Sequence, residues 1–422
     1  MNPLRRIKGT QDVTPSESAQ WVALENIVRE KMKVFNYREM RTPTFEVTEL
    51  FARGIGELTD IVSKEMYTFS DRSQKSVTLR PEMTAPIMRA YLENNLQANA
   101  PINKIFYIAS LFRQENPQAG RLRQFHQYGA EFIGSTMPHA DAETISLALA
   151  IFDKLGLNNL ELRINTVADP ESREPYKELL QAYLKKNIPQ PSEDVQQRIE
   201  RNPLRVLDSK DPALAEIIKE APKLLDHLNS VSSKHYHTVK EILREQNISF
   251  VEDPTLVRGL DYYTHTVYEI TSPSVGAQSA LCGGGRYDLL GRQIGGKDVP
   301  AVGFAAGIER ILMALQSQET ILADGEKIDV FLAALGDKAV HAVQSWASKL
   351  RTRNLTVDTD FLNRSMKAQF REANRQNARF VLILGETELE QKFFTVKDMI
   401  SGEQSNIAFN SVIEFIEKNL KN

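Results

Sequence analysis

Hydrophobic and polar positions repeat with two different periods along the chain, and these periods predict its elements. Near the start, Thr14-Pro15-Ser16-Glu17 has the sequence of a capping box with proline at the first helical position. The apolar residues that follow recur at helical spacing: Trp21, Leu24, Ile27, Val28 and Met32. We therefore expect a helix that begins at about residue 15 and buries this stripe.

Residues 104–134 predict a β-hairpin with polar side chains on one face. A first alternating segment ends at Arg113, a polar and basic turn follows, and a second segment carries Gln127, Gly129 and Glu131 at every other position. Since strand side chains alternate between faces, these three residues share a face, and the glycine leaves room between two polar groups. An arginine, an amide and a carboxylate on one sheet face favour a site for a small zwitterion or a phosphate over a core.

A long helical region follows and separates two β-rich regions. Residues 170–236 have an almost purely helical pattern with charged faces. Strands return near Ile248, and residues 256–271 and 279–286 have β-rich sequences. Residues 303–315, GFAAGIERILMAL, indicate a glycine-punctuated helix.

After a linker at residues 316–327, strands alternate with helices in the manner of a small α/β domain. The predicted fold class is α+β. A large, mainly antiparallel sheet domain occupies residues 1–322 and carries the helical insertion at about 170–236. A separate α/β domain occupies residues 323–422.

Composition adds expectations about the cell compartment. The 422 residues are 41% hydrophobic and 25% charged, as in ordinary soluble domains. No stretch approaches the roughly 18 apolar residues that cross a bilayer, and the start of the chain has no apolar signal region. Cys282 is the only cysteine, which excludes an internal disulfide and a cysteine-rich zinc site. We expect a cytoplasmic protein without a membrane partner.

The net charge of −3 does not decide whether nucleic acid binds, because local patches determine binding. Residues 351–380 contain seven basic and three acidic residues, hence a local charge of +4. Such a patch is either a solvated helix face or a nucleic-acid surface. The basic residues are Arg351, Arg353, Arg364, Lys367, Arg371, Arg375 and Arg379.

Candidate chemistry lies in the hairpin and in three further clusters. Glu82 and Thr84 follow a predicted strand, Arg258 precedes two tandem tyrosines, and Gly283–Gly285 leads to a helix that bears Arg310. The chain has no P-loop and no dinucleotide-binding glycine motif, so a phosphate site would depend on arginines. Taken singly, an arginine near a carboxylate is usually an ordinary ion pair, and tandem tyrosines are more often packing residues than ligands. A triple glycine is also compatible with a β-bulge, so no single cluster predicts a function.

Together and in this order, the segments resemble the motifs of class II aminoacyl-tRNA synthetases. YREMRTPTFE is similar to the first signature, the hairpin to the second and GFAAGIERI to the third. LVRGLDYYT, ALCGGGRYD, KGTQD and LDSKDPALAEIIKEAP resemble elements of the histidyl-tRNA synthetase family, and RSMKAQFREANRQNARFVLILGETE extends the resemblance into the last domain. The departures are Leu289, where the family often has glycine, and Thr264, where asparagine is common.

The resemblance implies a class II antiparallel sheet with a C-terminal anticodon-binding domain. It also implies that L-histidine reacts with ATP to form histidyl-adenylate and pyrophosphate, and that histidine then passes to the 3′ end of tRNA(His). The implied partners are ATP, Mg²⁺ with unknown ligands, tRNA(His) and a second copy of the chain, contacted through the segment around Pro43.

The resemblance carries four sets of site residues. Arg113 would hold the α-phosphate and the substrate carboxylate, and Arg258 would act as a catalytic cation from the opposite side. The histidine site would comprise Glu82, Met83, Thr84, Arg113, Gln127, Glu131, Arg258, Tyr262, Tyr263 and Tyr287. The ATP site would comprise Arg113, Glu115, Arg121, Phe125 and Arg310. Gln118 and Arg123 would meet the tRNA acceptor end.

Two other functions fit the same fold. A regulatory histidine-binding subunit of ATP phosphoribosyltransferase would keep the catalytic fold, usually without the C-terminal domain and without the arginines of the ATP site. A sensor of uncharged tRNA usually belongs to a larger chain joined to a kinase. The presence of Arg113, Arg258, Arg310 and a C-terminal domain favours the synthetase.

Overall fold

The computed structural model describes residues 3–56, 59, 61–209, 211–323, 325 and 327–420. The outer ends of the two expected domains, residues 1–2 and 421–422, and Lys210 of the predicted insertion lie outside this part. The described chain divides into two compact units, one ending at Leu322 and the other beginning at Ala323. Each unit has its own sheet and its own core.

The first unit is an α+β structure. Its helices are α1 (Pro15–Val34), α2 (Thr48–Ile55), α3 (Thr84–Glu93), α4 (Pro138–Lys154), α5 (Pro170–Asn187), α6 (Glu193–Arg201), α7 (Ala215–Lys219), α8 (Ser230–Glu245), α9 (Leu290–Gln293) and α10 (Ile308–Ser317). Its strands are β1 (Arg38–Glu39), β2 (Phe45–Val47), β3 (Thr68–Ser70), β4 (Ser76–Leu79), β5 (Asn103–Phe112), β6 (Gln124–Ile133), β7 (Glu161–Thr166), β8 (Val251–Glu252), β9 (Thr264–Thr271), β10 (Ala280–Arg286) and β11 (Ala301–Gly307).

Eight of these strands form one mixed sheet in the order β1-β5-β6-β11-β10-β9-β7-β8. The central pairs are antiparallel, as predicted, whereas β1 and β8 join the two edges in parallel. The strands β2, β4 and β3 form a small separate antiparallel sheet. The predicted hairpin is confirmed: β5 and β6 pair along their whole length, with Ala109 opposite Gln127.

The two faces of the large sheet bury different sets of side chains. Phe106, Tyr128 and Phe304 point toward a core that includes residues of α1, α4, α8 and α10. Ile105 and Tyr107 point to the opposite face, where α3 packs. This alternation follows the two-residue period of a strand and leaves the odd-numbered residues of β6 on the α3 side.

The helix α1 begins where its sequence predicts. The Glu17 carboxylate accepts hydrogen bonds from the backbone N–H of Thr14 at 3.0 Å and from its hydroxyl at 2.8 Å. Leu24, Val28 and Met32 are fully buried. A first-turn carboxylate also complements the positive end of the helix, so local sequence and packing agree.

The region expected to be a helical insertion is helical throughout its described residues from α5 to α8, with short 3₁₀ turns between the helices. It has a hydrophobic cluster of its own, formed around Tyr176, Leu180, Leu184 and Leu214. Val257, from outside the insertion, is part of the same cluster.

Two predicted elements were wrong. Residues 256–263 form an irregular loop and not a strand, and β9 begins only at Thr264. Residues 303–307 continue the strand β11, and the helix begins at Ile308. In both places contacts between distant parts of the chain determine the backbone conformation. The strand β11 is held between β6 and β10, whereas the loop contacts the helical insertion.

The second unit is an α/β domain. Its strands β12 (Val330–Ala334), β13 (Val357–Thr359), β14 (Phe380–Leu384), β15 (Phe393–Asp398) and β16 (Gln404–Ala408) form one sheet in the order β13-β12-β14-β15-β16. Its helices are α11 (Asp337–Arg351), α12 (Met366–Arg375), α13 (Glu386–Gln391) and α14 (Val412–Leu420). The first three strands in the order are parallel, as the alternating pattern predicted, and α13 and β16 were not predicted.

Among the described residues of both units, the structure contains no helix with the length and apolar character needed to cross a membrane.

Candidate active site

Two adjoining cavities open on the α3 side of the large sheet. The smaller has a volume of about 100 Å³ and the larger about 190 Å³. The two cavities share five of their lining residues, which are Arg113, Gln127, Arg258, Gly283 and Ala305. Two cations therefore lie at the junction of the two cavities.

The small residues of the central strands create this space. An added Cβ at Gly283 would lie 1.8 Å from Nη2 of Arg258, and one at Gly303 would lie 1.8 Å from an oxygen of Glu131. The backbone of β10 and β11 must therefore lack side chains for the charged groups to lie against it.

Arg113 extends from the end of β5 into the junction. Its Nε donates a hydrogen bond to the carbonyl of Pro81 at 3.1 Å, and its guanidinium lies 5.2 Å from the ring centroid of Phe125. Burial lowers the pKa of Arg113, and nearby Glu65 and Glu115 oppose this shift. An arginine stays charged under such conditions, so the site keeps a buried cation.

Arg258 reaches the junction from the loop at residues 256–263. Its Nη1 donates to Oε1 of Glu269 at 2.7 Å, and its Nε is buried without a hydrogen-bond partner in the described structure. Burial lowers the pKa of Arg258, but pairing with Glu269 outweighs it and the net shift is upward. The unpaired Nε is a donor that an anionic ligand can use.

Sequence reasoning missed Glu269, although it is the one acid in the strand segment THTVYEIT. Glu269 lies on β9 directly opposite Gly283 of β10. The guanidinium of Arg258 thus lies over a glycine and pairs with the residue beside it on the neighbouring strand. The register of β9 and β10 was the missing information.

The floor of the smaller cavity contains two buried carboxyl groups. Glu82 accepts hydrogen bonds from the N–H groups of Thr84 at 2.7 Å and Ala85 at 3.0 Å, at the start of α3. Glu131 accepts one from the Thr84 hydroxyl at 2.9 Å and another from the hydroxyl of Tyr287. Burial raises the pKa of Glu82 to about 7 and that of Glu131 to about 8, against the effect of these hydrogen bonds.

Three tyrosines form an aromatic wall of the smaller cavity. The ring centroid of Tyr262 lies 4.7 Å from that of Tyr263 and 5.6 Å from that of Tyr287. All three side chains are buried, and Met83 and Gln127 also line the cavity. An aromatic wall beside buried carboxyl groups suits a small planar ligand with polar ring atoms.

The larger cavity is basic. Glu115, Arg121, Phe125 and Arg310 line it. Nε of Arg310 donates to the carbonyl of Gly120 at 3.1 Å, and its Nη1 donates to that of Ala280 at 2.9 Å. The arginine thus bridges the hairpin turn and β10.

The residue before Arg310 anchors the helix that carries it. The Glu309 carboxylate accepts from the backbone N–H of His126 at 2.9 Å and lies 2.9 Å from its ring Nδ1. This contact ties the start of α10 to β6 and was not predicted.

Gln118 and Arg123 lie in the hairpin turn, outside the described lining of both cavities. The backbone groups of Gln118 and Arg121 exchange hydrogen bonds of 3.1 and 2.9 Å. The Arg123 N–H donates to the carbonyl of Gly9 at 2.7 Å. The segment near Gly9 therefore supports the turn.

A buried ion pair, also missed from the sequence, supports Tyr287. The fully buried guanidinium of Arg286 pairs with the equally buried Asp141 and also contacts Asp288 at 3.1 Å. His235 Nε2 lies 3.2 Å from Asp141. Burial raises the pKa of Asp141, but Arg286 and His235 more than reverse this and hold it well below its usual range.

Most of the predicted basic patch in the second unit is paired internally. Arg364 and Arg375 contact Asp360 and Glu372, and Arg379 contacts Asp398. Lys367 and Arg371 are exposed one turn apart on α12 and have no ion pair within the described part of the chain. The accessible charge is therefore smaller than the sequence suggests.

No group of three or more His, Cys, Asp or Glu side chains placed to hold a metal ion occurs in the described ranges. A magnesium ion bound mainly through phosphate oxygens and water needs only one or two carboxylates. Glu115 in the larger cavity fits that requirement.

Comparisons with known proteins cover both units. A family model described as histidyl-tRNA synthetase matches residues 9–311, and one described as anticodon binding domain matches residues 329–419. A histidine–tRNA ligase of Chlorobium phaeovibrioides is 47% identical over 100% of this chain and 99% of its own length. One of Caldanaerobacter subterraneus is 46% identical over 98% of this chain and 99% of its own. The crystal structure of apo S. aureus histidyl-tRNA synthetase is 37% identical, has a TM-score of 0.84, and covers 98% of this chain and 100% of that one.

We predict that Asp141→Asn lowers the free energy of unfolding of the first unit by about 3–5 kcal/mol, because Arg286 loses a buried partner. Urea unfolding followed by Trp21 fluorescence in a Trp346→Phe background would measure this unit separately, since the chain has two tryptophans. The control is Asp194→Asn, which removes an exposed pair with Arg198 and should change the same quantity by less than about 1 kcal/mol. Equal losses would contradict the role of the buried pair.

We also predict that the stability of the first unit falls between pH 6 and pH 9. Glu131 binds its proton more tightly in the folded state than in the unfolded chain, so this stabilisation is complete below the unfolded pKa and is lost as pH rises through about 8. Glu131→Gln should reduce the difference in unfolding free energy between the two pH values by about 2–3 kcal/mol. The exposed change Glu30→Gln is the control, and an unchanged pH dependence in Glu131→Gln would refute the assignment.

Proposed function

The chain belongs to the histidyl-tRNA synthetase family, and from this premise we propose how its two cavities carry out the reaction. The protein activates L-histidine with ATP, releasing pyrophosphate, and transfers histidine to the 3′ end of tRNA(His). Full-length relatives at 46–47% identity with this activity in their names support the assignment. The observation that carries the mechanism is the pair Arg113 and Arg258 at the junction of the two cavities.

Histidine occupies the smaller cavity and ATP the larger one, so the carboxylate of histidine meets the α-phosphorus at the junction. The carboxylate is ionised at neutral pH, and the attack therefore needs no general base. The barrier lies in bringing two anions together and in the charge that develops on the phosphoryl oxygens. Arg113 and Arg258 approach that point from two sides and neutralise the charge in a site with little water.

The carboxyl groups of the smaller cavity account for the choice of amino acid. The α-amino group binds beside Glu82, Thr84 and Gln127, and its positive charge favours the ionised form of Glu82. The imidazole lies against the tyrosine wall within reach of Glu131. A site built around such a polar contact rejects analogues that lack the ring N–H more strongly than an apolar pocket can.

The larger cavity holds the nucleotide. Phe125 stacks on one face of adenine and the guanidinium of Arg310 covers the other and reaches the terminal phosphate. Glu115 and Arg121 contact the nucleotide, and Glu115 is placed to bind a magnesium ion together with the phosphates. The ion neutralises phosphate charge when it is bound.

The acceptor end of the tRNA approaches the hairpin turn, where Gln118 and Arg123 contact it. We assign residues 1–322 to the catalytic domain, with the insertion at about 170–236, and residues 323–422 to the anticodon-binding domain. Lys367 and Arg371 are exposed cations of α12 without an ion pair among the described residues, and they support a contact with tRNA phosphates. The working unit is a cytoplasmic homodimer, joined through the segment around Pro43.

A regulatory histidine-binding subunit is the remaining alternative. It would need the smaller cavity but not the cations that face a triphosphate. The larger cavity keeps Arg113, Arg121 and Arg310, each held by a contact within the described structure. This arrangement favours catalysis over binding alone.

We expect Arg258→Ala to lower histidine-dependent ATP–pyrophosphate exchange at least about 100-fold, because a donor to the developing charge is lost. Histidine binding should weaken only modestly. Since the single variant leaves Glu269 without its partner, the double variant Arg258→Met/Glu269→Gln should show the same loss while avoiding a buried lone charge. Arg292→Ala removes an exposed arginine paired with Asp298 and is the matched control.

Exchange close to the wild-type rate in both Arg258 variants would remove Arg258 from the mechanism. Exchange by the wild-type protein with histidine and no other amino acid would establish the substrate. Histidine binding without any exchange would instead support the regulatory subunit.

Glu131→Gln should bring the kcat/KM values for histidine and for analogues without a ring N–H closer together, because the amide cannot supply the same hydrogen-bond acceptor. The measurement is kcat/KM for exchange with histidine and with a thiazole analogue, whose ring has no N–H. The wild-type ratio is expected to fall about tenfold or more. Equal ratios in the two proteins would exclude a specificity role for Glu131.

A further inference from the structure

The helical insertion contacts the loop that carries Arg258. That loop, residues 256–263, has no strand pairing, so its backbone depends on partners elsewhere. One end is tied to β7, whose Asn165 donates to the carbonyl of Leu256 at 2.9 Å. In the middle, the N–H of Asp261 donates to the carbonyl of Ile55 at 3.1 Å.

Residues of the insertion make further polar contacts to the loop backbone and to Asp261. Arg205 donates through Nη2 to the Asp261 carboxylate at 3.0 Å and to the carbonyl of Gly259 at 3.1 Å. Asn202 donates to the same carboxylate oxygen at 3.0 Å. Gly259 is the residue after Arg258, so one of these contacts acts on the backbone next to the catalytic cation.

A third contact lies at the other end of the loop. Arg173, on α5, donates from Nη1 to the carbonyl of Tyr263 at 2.6 Å. The side chain of Val257 lies in the hydrophobic cluster of the insertion. The insertion therefore holds the loop before Arg258, at Val257, and after Arg258, at Gly259, Asp261 and Tyr263.

These contacts are few, and the two surfaces are not packed together along their length. A cavity of about 190 Å³ lies between them, with Arg173, Arg205, Val257, Arg258 and Asp261 in its lining. The contact between the insertion and the loop therefore depends on these hydrogen bonds and on Val257. The side chains of Arg205 and Asp261 are only 16% and 32% exposed, which strengthens their charge-assisted hydrogen bond relative to a surface pair.

We propose that the helical insertion positions the catalytic loop, with Arg205 and Asn202 as positioning residues for Arg258 through Asp261 and Gly259. Neither residue is among the described residues that line the two substrate cavities. Their effect on the reaction passes through the placement of Arg258 and of Tyr262 and Tyr263. The inference rests on the proposed function for its kinetic readout but not for the contact itself.

The test compares Arg205→Ala with Arg198→Ala. Arg198 belongs to α6 of the same insertion and pairs with Asp194 at 3.0 Å, away from the loop. Loss of Arg205 leaves Asp261 partly exposed to water, so the fold is expected to survive. Arg205→Lys, which keeps a charge but not the two-point contact, should lie between the wild type and Arg205→Ala.

In ATP–pyrophosphate exchange, Arg205→Ala should lower kcat about 10- to 100-fold, since a displacement of about 1 Å at a reacting group has an effect of this size. The KM for histidine should rise, because two tyrosines of its pocket lie on the loop. The KM for ATP should change less than about twofold, because the hairpin and α10 do not depend on the contact. In an Arg258→Ala background the effect on kcat should nearly vanish, since Arg205 acts through Arg258.

Hydrogen exchange of the loop amides supplies a second readout that needs no activity. Arg205→Ala should speed exchange at residues 257–263 relative to Arg198→Ala and leave β5 and β6 unchanged. Unchanged protection of the loop would overturn the proposal even if the enzyme were inactive. The proposal would also be overturned if Arg205→Ala lowered kcat by the same factor in the Arg258→Ala background as in the wild type. It would be overturned as well if Arg205→Ala lowered kcat and left both KM values unchanged. Either result would indicate a general loss of folded protein. Wild-type protein without exchange activity, but with loop protection sensitive to Arg205, would refute the proposed function alone.

Discussion

Two partly buried guanidinium groups, those of Arg113 and Arg258, line the same junction of two cavities, and the structure of the site follows from the need to hold them there. Burial of a cation without a partner is strongly unfavourable. Arg258 obtains a carboxylate from the adjacent strand, and Arg113 obtains a carbonyl oxygen and an aromatic face. Each guanidinium group is held on one side by these contacts and faces the cavities on the other. In the proposed reaction, the positive charge at the junction is what brings two anionic groups together, the histidine carboxylate and the α-phosphate.

The same requirement explains why the centre of the sheet is poor in side chains. Gly283 lies under Arg258 and Gly303 lies beside Glu131, at distances that no Cβ could tolerate. Glycine weakens a strand, so such positions are stable only in the middle of a sheet with partners on both sides. The strands β10 and β11 have that position, between β9 and β6. The centre of the sheet, where each strand is paired on both sides, is therefore the part that can lose side chains to a cavity.

The sequence predicted those features that depend on local periodicity. The common face of Gln127 and Glu131 followed from strand alternation, and the start of α1 followed from its first four residues. The loop at residues 256–263 was misread because its aromatic and branched residues have β propensity, whereas distant side chains and not a neighbouring strand hold its backbone. The first part of GFAAGIERI was misread because small residues carry little periodic signal. The partners Glu269, Asp141 and Arg205 lie 11, 145 and 56 residues from the groups they contact, and no local pattern relates them.

The topology explains why the helical insertion contacts the loop that carries Arg258. β7 and β9 are antiparallel neighbours, with Thr166 opposite Thr266, and the insertion is part of the connection between them. The chain leaves the sheet at the end of β7, passes through the insertion, returns as β8 parallel to β7, and then enters the loop that precedes β9. A connection of two adjacent strands could be a short turn. Because this one is long enough to fold around its own core, it presents a rigid surface to a loop that has no regular pairing, and Arg205 and Arg173 lie on that surface.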